Sequence, residues 1–173
     1  MLWPLIWSFY LIRCKIKFEQ RLTMLTFPQQ IIIILFAIFN FLIFFKALYE
    51  VKRKKNAFGL TRGLVFLGAF VWADAVIFSL FWLLSSAIVL ALSDWNLFLL
   101  IISVFWLVRS IGETIYWFNQ QFSTLERNPP KNLHGYTLFN NDSIWFVYQI
   151  IWQSVTVFSL ISSIYLAKIW LIG

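Results

Sequence analysis

The run from Gly63 to Leu92 is thirty residues of apolar chain that contains a single charged side chain, Asp74. Roughly 20 apolar residues are enough for an α-helix to cross the ~30 Å hydrocarbon core of a bilayer. Placing a carboxylate inside such a span costs free energy unless protein groups or water bind to it. The run therefore predicts a membrane-spanning helix with a polar contact inside it.

The composition of the whole chain agrees with a membrane class. Of its 173 residues, 61% are hydrophobic and 12% are charged, whereas soluble domains are about 25% charged. The net charge of +7 would suggest nucleic acid in a soluble protein, but here the basic residues stand beside apolar runs. The orientation rule for membrane spans and anionic headgroups explain these residues better, so we predict no nucleic-acid partner.

Hydropathy predicts an all-α, polytopic integral membrane helix bundle. Its four spans cover about 31–51, 63–92, 97–118 and 144–167, within one four-helix transmembrane domain at 31–173. The first span is the weakest, because Asn40 lies inside it and Lys46 and Glu50 lie near its end. A lysine at a span end can keep its ammonium group at the interface, so this segment is still predicted to cross.

The connections between the spans contain residues that cap or break helices. Only Ser93–Asn96 separates the second and third spans, and Ser93 or Asp94 can cap the third helix. The longer connection contains the pair Pro129-Pro130, which breaks a helix, and it ends in Asn141-Asp142-Ser143, which can cap the fourth helix. Short turns and one long connection fit a bundle of helical hairpins.

The 52–62 loop contains five basic residues, which are Lys52, Arg53, Lys54, Lys55 and Arg62. Cytoplasmic loops are enriched in lysine and arginine, so this loop and the 119–143 loop are predicted to be cytoplasmic. The five residues are also the predicted contacts with anionic lipid.

Residues 1–30 are predicted to be an interfacial or poorly ordered extension. Met1–Ile12 is apolar but too short to span, and a second basic cluster follows at Arg13–Arg21. With four spans this second cluster falls on the outer side, in conflict with the orientation rule. The alternative is that 31–51 is a re-entrant hairpin, which would leave both basic clusters inside.

Polar side chains repeat at helical spacing on the third and fourth spans. They are Arg109, Glu113, Tyr116 and Gln120 on the third span, and Gln149, Gln153, Thr156 and Ser163 on the fourth. Steps of three, four and seven residues place each set on one face of its helix. Because neither face can meet lipid cheaply, we expect the two faces to meet each other or a shared cavity.

The ionisable residues Asp74, Arg109 and Glu113 are predicted to form a buried network, which Gln149 and Gln153 complete with hydrogen bonds. At 1.5 Å per residue, the polar residues of the third and fourth spans lie at matching depths. Counting from the two ends of the second span gives two different depths for Asp74. The sequence therefore leaves open whether Asp74 contacts Arg109.

Such a network is typical of several kinds of protein. Our prediction is a non-catalytic subunit or accessory protein that acts through helix–helix association and uses the network as a structural clasp. The first alternative is a small proton-coupled carrier or channel, because two acids beside one arginine leave a carboxyl that can exchange a proton. The second alternative is a lipid-modifying membrane enzyme that uses Asp74 and Glu113.

The remaining residues limit the chemistry. One cysteine, Cys14, excludes a disulfide within the chain, and one histidine, His134, excludes a bis-His haem site within a single chain. We predict no catalytic residues, no metal ligands and no cofactor. The predicted partners are the lipid bilayer and other membrane proteins or a second copy. The predicted location is a bacterial inner membrane, with an organelle membrane as the alternative.

Overall fold

The structure is a computed structural model that describes residues 25–61, 63–124, 127–139 and 141–172. Its four long helices in these ranges are α1 (Phe27–Lys52), α2 (Trp72–Leu92), α3 (Trp95–Phe122) and α4 (Ser143–Ile172). The same ranges contain no strand, only an isolated bridge between Leu60 and Val71. All four helices are long and apolar enough to cross a membrane, which confirms the predicted all-α class with four spans.

The chain divides into two compact units, which are described separately. The first contains the described residues up to Phe98 together with Ile172, and the second is Leu99–Leu171. Most of the predicted N-terminal extension, residues 1–24, lies outside the described residues, as does Arg62. Residues 27–30 of the extension are helical, because α1 begins at Phe27 with proline in its first turn and the Thr26 N–H donates to the Gln29 side chain (2.9 Å).

In the first unit, α1 and α2 pack along rows of buried residues. The rows are Ile33, Asn40 and Ala47 on α1, and Ala75, Ser79, Trp82, Ser86 and Val89 on α2. Steps of three, four and seven residues are the spacing that keeps two coiling helices in contact along their length. The ring of Phe36 lies edge-on to that of Trp82, with centroids 5.5 Å apart. The small residues let the backbones approach, and the rings fill the remaining space.

The predicted second span is shorter than its apolar run, because α2 begins at Trp72 and not at Gly63. Gly63 and Gly68 have positive φ angles (94° and 78°), a conformation that interrupts an α-helix. Between them lies a single 3₁₀ turn, Val65–Leu67, whose Leu67 carbonyl accepts a hydrogen bond from the Trp82 indole (3.2 Å). Apolar residues 63–71 are therefore a folded loop held against α2.

The turn between α2 and α3 confirms the predicted cap. Ser93 adopts the left-handed conformation (φ 53°), and the Asp94 carboxylate accepts a hydrogen bond from the Leu97 N–H (3.0 Å). This bond satisfies one of the backbone donors that a helix start leaves without a partner. Asp94 rather than Ser93 is therefore the residue whose side chain caps α3.

In the second unit, both helices extend beyond the predicted spans, to Phe122 for α3 and to Ile172 for α4. The connection contains a 3₁₀ turn at Pro130–Asn132 and one helical turn at Tyr136–Phe139. At the start of α4, the Asn141 side chain accepts a hydrogen bond from the Ser143 N–H (2.9 Å), as the sequence predicts for a cap. The extension of α3 is mainly polar, with Asn119, Gln120 and Gln121, as expected where a long helix leaves the hydrocarbon core.

Candidate functional site

The candidate site is a row of polar and aromatic side chains where α3 and α4 pack in the second unit. We call it the polar seam, and it consists of Ser103, Ser110, Trp117 and Gln121 of α3 and Gln149, Thr156 and Ser163 of α4. Its residues recur in steps of seven on each helix, with Gln121 one turn after Trp117. A seven-residue repeat keeps one narrow stripe of each helix toward its neighbour.

Three hydrogen-bonded pairs join the two helices along the seam. Ser103 Oγ lies 2.9 Å from Ser163 Oγ, and it also donates to the Ser159 carbonyl (3.1 Å). Thr156 Oγ1 donates to Ser110 Oγ at 2.9 Å. Residue numbers rise along α3 as those of their partners fall along α4, so the two helices are antiparallel.

The third pair lies near the end of α3, where Gln121 Nε2 donates to Gln149 Oε1 at 2.6 Å. The same amide also donates to the Trp117 carbonyl one turn earlier (3.2 Å), so the side chain is held by two acceptors. Between the polar pairs, the rings of Trp106 and Trp152 stack with an interplanar angle of 14°. Polar and aromatic contacts therefore alternate along one interface.

Arg109 and Glu113 form an ion pair on α3, with Nη2 and Oε1 2.9 Å apart. The side chains are 18% and 13% exposed, and they lie one helical turn apart. Each charge thus has an opposite charge on its own helix, which lowers the cost of placing both in a membrane span. The structure brings together this part of the predicted network.

Asp74 occupies the first turn of α2, and it is not at the centre of a span. Its carboxylate accepts a hydrogen bond from the Phe70 N–H (3.3 Å), where a negative charge also meets the positive end of the helix dipole. Asp74 lies in the first unit, whereas Arg109 and Glu113 lie in the second. A network that joins all three residues stays a prediction.

Of the four polar residues singled out on the fourth span, three lie against α3 and one does not. Gln149 and Ser163 are buried and Thr156 is half-buried, and all three bond to α3. Gln153 is exposed. At about 100° per residue it lies roughly 60° around the helix from the middle of the row that faces α3, which explains the difference.

On α3, the predicted Tyr116 and Gln120 have different surroundings. Gln120 is buried, and the Tyr116 hydroxyl accepts a hydrogen bond from the Asn128 side chain. The glutamine that bonds Gln149 is Gln121, which the spacing from Arg109 does not select. A seven-residue step through Ser103, Ser110 and Trp117, followed by one four-residue step, is the signal in the sequence that selects it.

Aromatic side chains near the start of α4 form hydrogen bonds with the long connection between α3 and α4. The Trp145 indole donates to the Asn128 carbonyl (2.9 Å), and the Tyr148 hydroxyl donates to the His134 carbonyl (3.3 Å). Tyr148 also packs on Trp117, with ring centroids 4.6 Å apart. The end of the seam is thereby closed by an apolar cluster that includes buried Ile144 and Trp145.

Two polar atoms at this end of the seam are buried without a hydrogen-bond partner in the described part of the chain, Thr114 Oγ1 and Trp117 Nε1. Burying a polar group without a partner has a cost of roughly 1–3 kcal/mol in proteins. At these two groups the hydrogen-bonding capacity of this end of the seam is not fully used.

The predicted lipid-contact residues Lys52, Arg53, Lys54 and Lys55 are exposed at the end of α1. Lys54 Nζ donates to Glu50 Oε1 at 2.7 Å. This hydrogen bond raises the pKa of Lys54, since it favours the charged ammonium. One of the four cations is therefore engaged with the chain itself, and contact with lipid stays a prediction.

The chain matches no protein-family model, no curated protein and no solved structure. Among the residues that the structure describes, no group of three or more His, Cys, Asp or Glu side chains comes together. The fold and the polar seam define the class of the protein, which is a multi-pass α-helical membrane protein.

Proposed function

We propose that the protein is a non-catalytic subunit or accessory protein of a membrane assembly and that it acts through helix–helix association. The observation that supports this most is how the polar groups of the second unit are used. Ser103, Ser110 and Gln121 each bond a polar side chain of α4. Interhelical hydrogen bonds of this kind hold membrane helices together, at about 0.6 kcal/mol each on average.

The ionisable residues of the spans support the same proposal. Arg109 is paired with Glu113 on its own helix, and the Asp74 carboxylate accepts a hydrogen bond from the Phe70 N–H at the start of α2. Both arrangements are structural uses of charge, since they stabilise helices without a bound ligand. We propose a bacterial inner membrane as the location, following the charge distribution of the loops.

The outer faces of the spans favour contact with other membrane helices. Exposed side chains on α1 and α4 include Phe41, Phe45, Phe158 and Tyr165. Large exposed rings supply dispersion contacts in a bilayer, where no hydrophobic drive brings helices together.

The second candidate is a small proton-coupled carrier, and one observation favours it. The Arg109–Glu113 pair is largely buried within a span, where ionisable residues are functional candidates by default. A carrier would need Glu113 to release Arg109 and exchange a proton during each cycle.

Glu113→Gln separates the two candidates. In liposomes we expect the wild-type chain to give no flux driven by a pH gradient beyond that of empty vesicles. In detergent we expect Glu113→Gln to reduce the assembled fraction, because Arg109 loses its counter-charge. Asp142→Asn, at an exposed position before α4, is the matched control and should change neither. Wild-type flux that Glu113→Gln abolishes, with the assembled fraction unchanged, would overturn the proposal in favour of the carrier.

A further inference from the structure

A second row of residues runs along α4, roughly a quarter-turn from the polar seam. We call it the Gln153 face, and its residues are all exposed: Phe146, Ile150, Gln153, Val157, Leu160 and Ile164. They are spaced by alternating steps of four and three residues. This spacing keeps a straight stripe available to another helix along five turns, which is the geometry of a left-handed coiled coil.

Gln153 is the polar residue of this face, and it lies deep in the span. It follows Ser143, the first residue of α4, by ten positions, which places it ~15 Å along the helix and near the middle of a ~30 Å hydrocarbon core. Its side-chain amide has two N–H donors and a carbonyl acceptor. Acyl chains offer these groups nothing to bond, so contact with a protein group stabilises this side chain.

The chemistry of the face selects a second copy of the chain as the partner. A primary amide is both donor and acceptor, so two glutamines complete each other's hydrogen bonds. Two copies inserted with the same topology are related by an axis along the membrane normal, which sets each α4 residue opposite itself. In a chain of net charge +7, this face carries no charged residue, so no like charges would meet.

We infer that the protein forms a homodimer through the Gln153 face of α4, with the two Gln153 amides hydrogen-bonded across the two-fold axis. This inference rests on the proposed function and names its partner, a second copy of this chain. The polar seam joins α4 to α3 within one copy, and the Gln153 face joins α4 to α4 between copies.

The first test measures dimerisation of the full chain in liposomes by energy transfer between labelled copies. Gln153→Leu should weaken the association constant by about tenfold, which corresponds to the 1–2 kcal/mol measured for such bonds in model peptides. Ser154→Ala is the matched control. Ser154 is also exposed and bonds the Ile150 carbonyl of its own helix (3.0 Å), so its removal should leave dimerisation unchanged. An unchanged association constant for Gln153→Leu would overturn the inference.

The second test uses oxidative cross-linking in membranes, with Cys14, the only cysteine, changed to serine. Leu160→Cys on the Gln153 face should form a disulfide-linked dimer. Phe158→Cys, more exposed (72% against 46%) and at a similar depth, points away from this face and should not. Equal cross-linking at both positions, or none at Leu160→Cys, would overturn the inference.

The two proposals fail in different ways. A monomeric chain that purifies in a stoichiometric complex with another membrane protein would overturn the homodimer and leave the proposed function standing. A monomeric chain that purifies alone would overturn both.

Discussion

Thr156 of α4 donates a hydrogen bond of 2.9 Å to Ser110 of α3, and this pair occupies the middle of the polar seam. The Thr156 hydroxyl has one hydrogen, which it shares between Ser110 and the Trp152 carbonyl of its own helix, also 2.9 Å away. Ser110 is fully buried, so a lost partner there is not replaced by water. Substitutions of this pair therefore measure how much an interhelical hydrogen bond contributes to the stability of this protein.

Thr156→Val should lower the free energy of unfolding, by about 0.6 and at most about 1.7 kcal/mol, because the hydroxyl is lost while the shape is kept. Thr114→Val is the matched control on α3, since Thr114 Oγ1 is buried without a partner among the described residues. It should leave stability unchanged or raise it. The measurement is reversible unfolding in mixed micelles, and equal losses for both variants would contradict the assigned hydrogen bonds.

Gln121 and Gln149 should behave as a coupled pair. Gln121→Leu removes the donor of the 2.6 Å bond to Gln149 Oε1, and Gln149→Leu leaves the Gln121 amide with only its bond to the Trp117 carbonyl. The double variant should therefore cost less than the sum of the single variants, with a coupling energy of about 0.6 kcal/mol or more. A double-mutant cycle of unfolding free energies measures this. Strict additivity would mean that the two amides act independently.

Arg109 and Glu113 should show the asymmetry of a buried charge pair. Glu113→Gln leaves Arg109 without its counter-charge and should destabilise the fold more than the double variant Arg109→Leu/Glu113→Leu, which removes both charges. Thermal unfolding in one detergent compares the variants. A double variant that is less stable than Glu113→Gln would show that the pair contributes more than charge neutralisation.

Asp74 should act mainly as a hydrogen-bond acceptor at the start of α2. Asp74→Ala should lower the unfolding free energy by about 1 kcal/mol, the typical net contribution of one hydrogen bond. Asp74→Asn keeps an oxygen acceptor and should lose only the smaller contribution of charge at a helix N-terminus, about 0.3–1 kcal/mol. If Asn is as harmful as Ala, the negative charge matters more than the acceptor.

The class and the helices of this protein follow from hydropathy, because a chain with four long apolar runs can form few structures other than a bundle of membrane-spanning helices. The start of α2 was missed for a local reason. Gly63–Val71 is as apolar as a span, and hydropathy does not register that Gly63 and Gly68 adopt positive φ angles. Apolar content therefore predicted a longer helix than the backbone conformation allows.

The candidate site was predicted in part. The polar stripe of α4 contains three residues whose side chains bond α3, because a seven-residue step marks a shared face. The predicted stripe of α3 runs from Arg109, which pairs with Glu113 on its own helix, and it does not include Ser103, Ser110 and Gln121. Charged residues are the most conspicuous polar residues of a span, but the hydrogen bonds described between α3 and α4 involve hydroxyl and amide groups.

The central claim is that the protein works by association with other membrane helices. The most direct measurement is the mass of the particle extracted from native membranes into lipid nanodiscs, without prior detergent. We expect a stoichiometric assembly with a protein mass well above the 20.6 kDa of one chain. A uniform population of single chains would contradict the claim.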